Sequence, residues 1–597
     1  MMVGKKSLKM KTQSTFSHSN SCNATSLNSL QYDEACLEIV FDSNKKYGLK
    51  VSAQTKECYL CDLQKFAELP ARGGNSFFKI NNTAYPIIFS FDSDKEDHHL
   101  CRKTVQFGEH GLYRLTISNN SCSEIDTIQA PHNTYAPFLH LIGAYLICWI
   151  FYHFFKCICS SFHSWRSHSE SVSSEIRNDL GSVSSSGDAA VLLRSESAVP
   201  QRRNKSRVKA LDAFRGIAIC LMTFVNYGGG KYWFFKHSAW NGLTLADLVF
   251  PWFTWIMGVG IAISLRSQLR ACIERRKIFL KVLKRSIILI ILGVILNSQK
   301  QNELSHLRFP GVLQRLGLSY LIVASIETCF MEKQTMDHSS GRWLSIQDIL
   351  ESRAQWFVIT VLTSIYAVIL FFLPVPNCPT GYLGPGGLHS HSEFSSCTGG
   401  ATGYLDRLVF GENHIYQKPT SAKIYKSTVP FDPEGLLGIL PTVLLMFLGV
   451  QAGRILHCFQ STDSRVKRWI LWTILTVVVA GLLCKFSKED GLIPINKNLW
   501  SLSFVFITAS TAFFLFFTLS LLIDHFQLWS GFPFRQAGMN AILLYVGQDL
   551  THDMFPWSWK PLSTSTHFEF LFMNAWGTAL WLLIAYILHE KGFYINI

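Results

Sequence analysis

Between two strongly apolar stretches lies the run FVNYGGGKYWFFKHSAWNGLTLADLVFPWF, from Phe224 to Phe253. Polar and ionisable groups at membrane depth are expensive to keep, so such a run marks a candidate site. The imidazole of His237 can take a proton from an amine or hydroxyl, or can itself attack a thioester. Asn226, at the end of the preceding stretch, offers an amide that can hold an acyl oxygen as negative charge develops there, or else a helix cap. Trp240, Asn241 and Asp247 lie on the far side of His237 and are read as substrate-binding. Gly228, Gly229 and Gly230 let backbone approach a ligand closely. The rings of Tyr232, Trp233, Phe234, Phe235 and Trp240 suit a headgroup layer.

Further candidates lie in the flanking spans. Asp212 and Arg215, in LDAFRGIAI, are one helical turn apart and share a face, where they can pair with each other or where Arg215 can anchor a phosphate-bearing ligand. Arg315, in FPGVLQRLG, sits inside a span, so its guanidinium needs Gln314, a carboxylate or an anionic ligand. These three are read as the binding set for a phosphate-bearing co-substrate. There is no P-loop, G-x-S-x-G, HExxH or dinucleotide fingerprint. His389 and His391 in GLHSHSEF lack the cysteine or acidic partners of a metal site, and no metal is expected.

The elements that must carry these residues follow from composition. The chain has 597 residues, 48% hydrophobic and only 16% charged, which reads as a polytopic α-helical membrane protein with an added soluble part. The net charge of +14 is concentrated in short loops beside apolar spans, most densely from Arg266 to Arg285. That is a positive-inside signature and argues against nucleic acid as a partner. About eleven crossings are expected, centred near Leu146, Ala218, Trp255, Ile290, Ile322, Tyr366, Leu444, Val477, Ala509, Leu543 and Trp581. An odd number places the amino-terminal domain and Asn226 to Asp247 on the non-cytosolic side, with the carboxyl terminus cytosolic.

The division expected is a β-rich domain over 1–135, a first transmembrane helix over 136–156, a cytosolic Ser-rich linker over 157–207 and a ten-helix bundle over 208–597. Short Tyr-, Phe- and Ile-rich runs such as Ser76 to Phe91 suit a small antiparallel sandwich in the first part. It holds six of the sixteen cysteines, read as a disulfide framework that includes Cys58 and Cys61. Its sequons at Asn23, Asn81 and Asn119 are glycosylation candidates. The polar, basic start carries no signal peptide, which points to a start upstream of Met1. Within the bundle, loop 375–434 is Gly- and Pro-rich, with a disulfide expected between Cys378 and Cys397, and reads as an ordered cap. There is no internal repeat, which counts mildly against a membrane transporter. A further alternative is a catalytically inactive scaffold that binds glycans.

From Val208 to Ile597 the chain resembles the heparan-alpha-glucosaminide N-acetyltransferase family. The resemblance rests on FRGIA, VNYGGGKYWFFKHSAWNGLT, ADLVFPWF, PGVLQRLG, PVPNCPTGYLGPGG, CTGGA, DPEGLLG, FLGVQAG, PINKNLWSLS and ALWLLIAYIL, in order. It implies acetyl transfer from cytosolic acetyl-CoA to the non-reducing terminal glucosamine of heparan sulfate in the lysosomal lumen, within a multi-pass lysosomal membrane protein. It also implies that His237 is the active histidine and Asn226 its partner. A homodimer is expected, and since Ser298 to Arg308 has no cysteine, it would be held by non-covalent contacts.

Overall fold

The computed structural model describes residues 16–17, 22, 29–42, 48–70, 74–81, 83–93, 99–118, 121–179, 207–299, 303–331 and 347–595. The sequons at Asn23 and Asn119 lie outside these residues, and Asn81 is exposed.

The amino-terminal part consists of β1 (Phe16–Ser17), β2 (Ala35–Asp42), β3 (Leu49–Thr55), β4 (Gln64–Leu69), β5 (Gly74–Ile80), β6 (Ile87–Ser93), β7 (His99–Val105), β8 (Leu112–Ser118), β9 (Ser121–Cys122) and β10 (Asp126–Gln129). One sheet has the order β1-β5-β2-β8-β10, with β9 on β8, and the other the order β4-β3-β6-β7. Alternation drives the layering: Leu49, Val51 and Ala53 of β3 are buried while Lys50 is exposed. Ile39 and Leu115 of the first sheet share one core with Val51, Phe89 and Phe91 of the second. The expected sandwich is present, but it is not purely antiparallel. β2 and β8 run parallel, because the chain between them crosses to the second sheet and back, giving the long connection that a parallel pair requires. Disulfides join Cys22 to Cys36, Cys58 to Cys61 and Cys101 to Cys122.

A separate unit follows, the helix α1 (Ala136–Asp179). Its part from Ala136 to Cys159 is apolar and long enough to cross a bilayer. The helix continues to Asp179, so the first part of the segment expected to be a linker is helical.

The remaining helices are α2 (Lys209–Asn226), α3 (Leu245–Arg270), α4 (Arg275–Ser298), α5 (Val312–Phe330), α6 (Gln347–Leu350), α7 (Arg353–Phe372), α8 (Gly400–Phe410), α9 (Ala422–Tyr425), α10 (Ile439–Cys458), α11 (Thr462–Leu483), α12 (Leu502–Leu519), α13 (Phe534–Met539), α14 (Ala541–Leu550) and α15 (His567–Glu590). All eleven expected centres fall in helices. Only seven helices, however, are long and apolar enough to cross a membrane among the described residues. The shortfall has a physical reason. α2 carries Asp212 and Arg215, α4 carries Lys281, Lys284 and Arg285, α5 carries Arg315 and Glu327, and α14 is only 10 residues long.

α3 and α10 form the centre of the bundle and approach backbone to backbone. A Cβ on Gly258 would stand 1.9 Å from the Met446 carbonyl oxygen, and one on Gly449 2.0 Å from that of Trp255. Small residues at such crossings are how apolar helices pack tightly where no water drives them together. Arg454 of α10 and Glu327 of α5, both buried in this bundle, form an ion pair with each other.

Candidate active site

His237 stands in the loop between α2 and α3, and the start of α3 fixes its orientation. Thr244 is the N-cap of α3, and Asp247, three residues on, completes a capping box. The Asp247 carboxylate is 0% exposed. Its Oδ2 accepts the backbone N–H of Thr244 at 3.2 Å, the Thr244 hydroxyl at 2.9 Å and the backbone N–H of Ser238 at 3.2 Å. That leaves Oδ1, which lies 2.8 Å from His237 Nδ1. A carboxylate so held accepts the Nδ1 proton and leaves the Nε2 lone pair outward. The His237 side chain is 38% exposed, so that lone pair reaches the open face of the site. Helix capping and histidine orientation are therefore one arrangement.

Lys497 was missed as a site residue, although the motif PINKNLWSLS contains it. Its Nζ lies 3.6 Å from Asp247 Oδ1, and 3.0 Å and 3.2 Å from the two ring nitrogens of His237. Since Nδ1 donates to Asp247, it cannot also accept from the ammonium, which pairs with Asp247 and can donate toward Nε2 or toward a ligand bound there. No spacing rule signals this lysine, because it comes from the loop between α11 and α12. That loop is stitched to the histidine loop by an isolated bridge between Asn241 and Asn496 and by Gly242 N–H donating to the Ile495 carbonyl at 2.8 Å.

The other expected residues fall into three places. Trp240 is buried, donates from Nε1 to the Leu383 carbonyl at 2.8 Å and packs on Phe431, so the long loop does cover this side of the site. A disulfide between Cys378 and Cys397 closes that loop. Asn241 donates to Glu489 at 2.6 Å and accepts from Asn496 at 2.9 Å. Burial pushes the Glu489 carboxyl above its ordinary range, partly offset by the Asn241 hydrogen bond. Beside them a cavity of about 540 Å³ is lined by Ser238, Asn241, Thr244, Glu57 and Lys488 among others.

Asn226 is exposed at the end of α2. Its amide donates to Gln548 at 3.3 Å and its carbonyl lies 3.1 Å from His552 Nε2. Among the described residues it makes no hydrogen bond to His237.

Arg315 separates from Asp212 and Arg215, with which it was grouped. It is buried at the start of α5, donates to the Gly435 carbonyl at 2.9 Å and lies over the Trp500 ring at 5.0 Å, near the loop that carries Lys497. Asp212 and Arg215 pair at 3.3 Å at the other end of α2, where Arg215 also reaches the Gly538 carbonyl at 3.5 Å. At 1.5 Å rise per residue, Asp212 is roughly 20 Å along the helix from Asn226. One cluster of metal-ligand types occurs among the described residues, Asp33, Glu109 and His567, at the contact of the β-rich part with α15.

No protein-family model matches the chain. Its sequence is 38% identical over 593 residues to heparan-alpha-glucosaminide N-acetyltransferase of Mus musculus, spanning 95% of this chain and 89% of that protein. It is 39% identical over 596 residues to the protein of the same name from Homo sapiens, spanning 95% of this chain and 88% of that one. Identity at that level extends along nearly the whole of both chains. The chain belongs to the heparan-alpha-glucosaminide N-acetyltransferase family, a family of acyltransferases.

Proposed function

We propose that this protein transfers the acetyl group of cytosolic acetyl-CoA to the terminal glucosamine of heparan sulfate on the lumenal side of the lysosomal membrane. The observation that carries this reading is His237 held by a buried, fully engaged Asp247, with a lysine ammonium at its outward nitrogen. The neutral sugar amine attacks the thioester carbonyl as His237 Nε2 accepts its proton, and Asp247 stabilises the imidazolium that forms. Lys497 supplies positive charge where the carbonyl oxygen becomes an oxyanion, and Asn226 offers an amide from the other wall. Collapse of the intermediate breaks the carbon–sulfur bond, and the imidazolium returns its proton to the departing thiolate. Direct transfer suffices, since close placement of amine and thioester needs no acetylated enzyme.

Asp212 and Arg215, at the far end of α2, suit the phosphate-bearing end of acetyl-CoA entering from the cytosol. Trp240 and Asn241 suit the sugar. Purified protein with labelled acetyl-CoA and a glucosamine-terminated heparan fragment tests the reading. Wild type should give acetylated sugar, and His237→Ala should lose about 10²–10⁴-fold in kcat. Equal turnover by the variant would remove His237 from the chemistry. Uptake of acetyl-CoA into vesicles without acetylated product would favour the transporter.

A further inference from the structure

The segment that presents His237 is fastened at both ends to groups outside the bundle's own loops. Gly228, Gly229 and Gly230 adopt φ of +121°, +56° and +61°, a conformation that disfavours side chains. A Cβ on Gly229 would also meet Phe235 Cβ at 2.4 Å. This tight turn is pinned by α15: Gly230 N–H donates to Asn574 Oδ1 at 2.8 Å, and Gly230 O lies 2.8 Å from His567 Nδ1. Tyr232 stacks flat on the His567 ring, centroids 4.2 Å apart and planes 16° apart.

His567 is 1% exposed, and its other face belongs to the β-rich part. Nε2 lies 2.5 Å from Glu109 Oε1 and 3.6 Å from Asp33 Oδ1. The Asp33 backbone N–H donates to the same Glu109 oxygen at 3.0 Å. A carbonyl on Nδ1 and a carboxylate on Nε2 are both acceptors, so the ring is satisfied as a donor on both sides. At 2.5 Å the histidine and Glu109 are in direct contact, so this cluster is a hydrogen-bonded triad with no room for an ion between them. Asp33 then turns its second oxygen outward to Lys236 Nζ at 3.3 Å, and Lys236 is the residue before His237.

We infer that Asp33, Glu109 and His567 are positioning residues for His237, through which the β-rich amino-terminal part fixes both ends of the catalytic loop. This rests on the reading of His237 as the base. Nothing in the triad touches the site itself. Its effect reaches Nε2 through Gly230 and Tyr232 toward one end of the loop and Lys236 at the other. A displacement of about 1 Å in a catalytic group can cost about 10²-fold in rate.

The test compares Glu109→Ala, Glu109→Gln and Lys236→Ala with wild type in the full chain. Hydrogen exchange of the amides from 228 to 237 gives a readout independent of activity. Glu109→Ala should lose protection there while α3 keeps its own, and its kcat should fall about tenfold or more with KM for acetyl-CoA held within about twofold. Glu109→Gln, which keeps an acceptor for His567, should recover most of both. Lys236→Ala removes an exposed side chain and threatens no fold, so it covers the case in which Glu109→Ala does not fold. It should loosen the segment and lower kcat about threefold. Unchanged exchange in Lys236→Ala, or in a folded Glu109→Ala, would overturn the inference. So would a loosened loop with wild-type kcat. Loss of loop protection in variants of a protein whose wild type makes no acetylated sugar would leave the clamp standing and refute only the acetyl-transfer reading.

Discussion

His237 and His567 are each tied to a carboxylate, and they differ in one respect that decides what each can do. His237 gives Nδ1 to Asp247 and leaves Nε2 facing outward, on a side chain that is 38% exposed. His567 has both nitrogens engaged, by the Gly230 carbonyl and by Glu109, on a ring that is 1% exposed. A histidine with one nitrogen spent and one open can exchange protons with a ligand. One with both spent and no solvent can only hold its neighbours in place. A carboxylate–histidine pair is therefore no signature of catalysis by itself; the open nitrogen is.

Removing the carboxylates should break this pairing most sharply. Asp247→Asn keeps the size of the side chain but not its charge, and can present an N–H where His237 needs an acceptor. By analogy with other histidine bases deprived of their carboxylate, kcat should fall about 10²–10⁴-fold with little change in KM for acetyl-CoA. Single-turnover acetylation of a glucosamine-terminated fragment measures this. Loss confined to KM would mean that Asp247 holds a substrate and not the base.

A smaller effect belongs to Lys497. Replacing it with Met preserves the stem and removes the charge beside Nε2. If the ammonium serves the oxyanion, kcat should fall about 10²-fold, in the range seen when a single oxyanion donor is removed. If it merely packs, kcat should stay within about twofold while thermal stability shifts.

Asp406 shows what becomes of a buried carboxylate with no histidine. It is 0% exposed on α8, and Oδ1 accepts the Leu436 N–H at 2.8 Å. Burial, with Asp432 nearby, pushes its pKa up from 3.8 to about 7. The folded protein therefore holds a proton that the unfolded chain has released over this interval. The stability so gained is full below the unfolded value and is lost as pH rises through the folded one. The gain is at most about 1.4 kcal/mol per unit of pH across the interval. The melting temperature in detergent should thus drop between about pH 4 and about pH 7, and Asp406→Asn should flatten that drop. An unaltered slope in the variant would assign the pH dependence to other groups.

How much of this could be read beforehand depended on the range of the interaction. Asp247 lies ten residues from His237 within one continuous motif and both were marked, but Asp247 as a substrate-binding residue, whereas it is buried and holds the histidine. The spans were legible because about twenty apolar residues leave few other readings, yet α2, α4 and α5 carry charges that an apolar count dilutes. Lys497 and His567 escaped because they meet His237 and the Gly230 turn across 260 and 337 residues of sequence, and no periodicity joins segments that meet only in the fold. Arg315 was grouped with Arg215 by residue type, and only the direction of α2 and α5 separates them. The parallel β2–β8 pair escaped because alternation records burial and not strand direction.

The weakest effect expected is at Lys488, and it sharpens the comparison from below. Lys488 reaches Glu57 of the β-rich part at 2.7 Å with a side chain that is 44% exposed, much as Lys236, 48% exposed, reaches Asp33 at 3.3 Å, but Lys488 does not adjoin His237 in the chain. Solvent screens such a pair, so Lys488→Ala should cost only about 0.5 kcal/mol and leave kcat unchanged within about twofold. Removing one partner of a buried pair costs about 3–5 kcal/mol, because the other charge is left without water or counter-charge. Glu109→Ala should therefore destabilise the protein several times more than Lys488→Ala in the same thermal melt. Equal losses would mean that the β-rich part is held by contacts spread along its whole base. A loss concentrated at Glu109 would place the attachment at the residue that also holds the loop before His237.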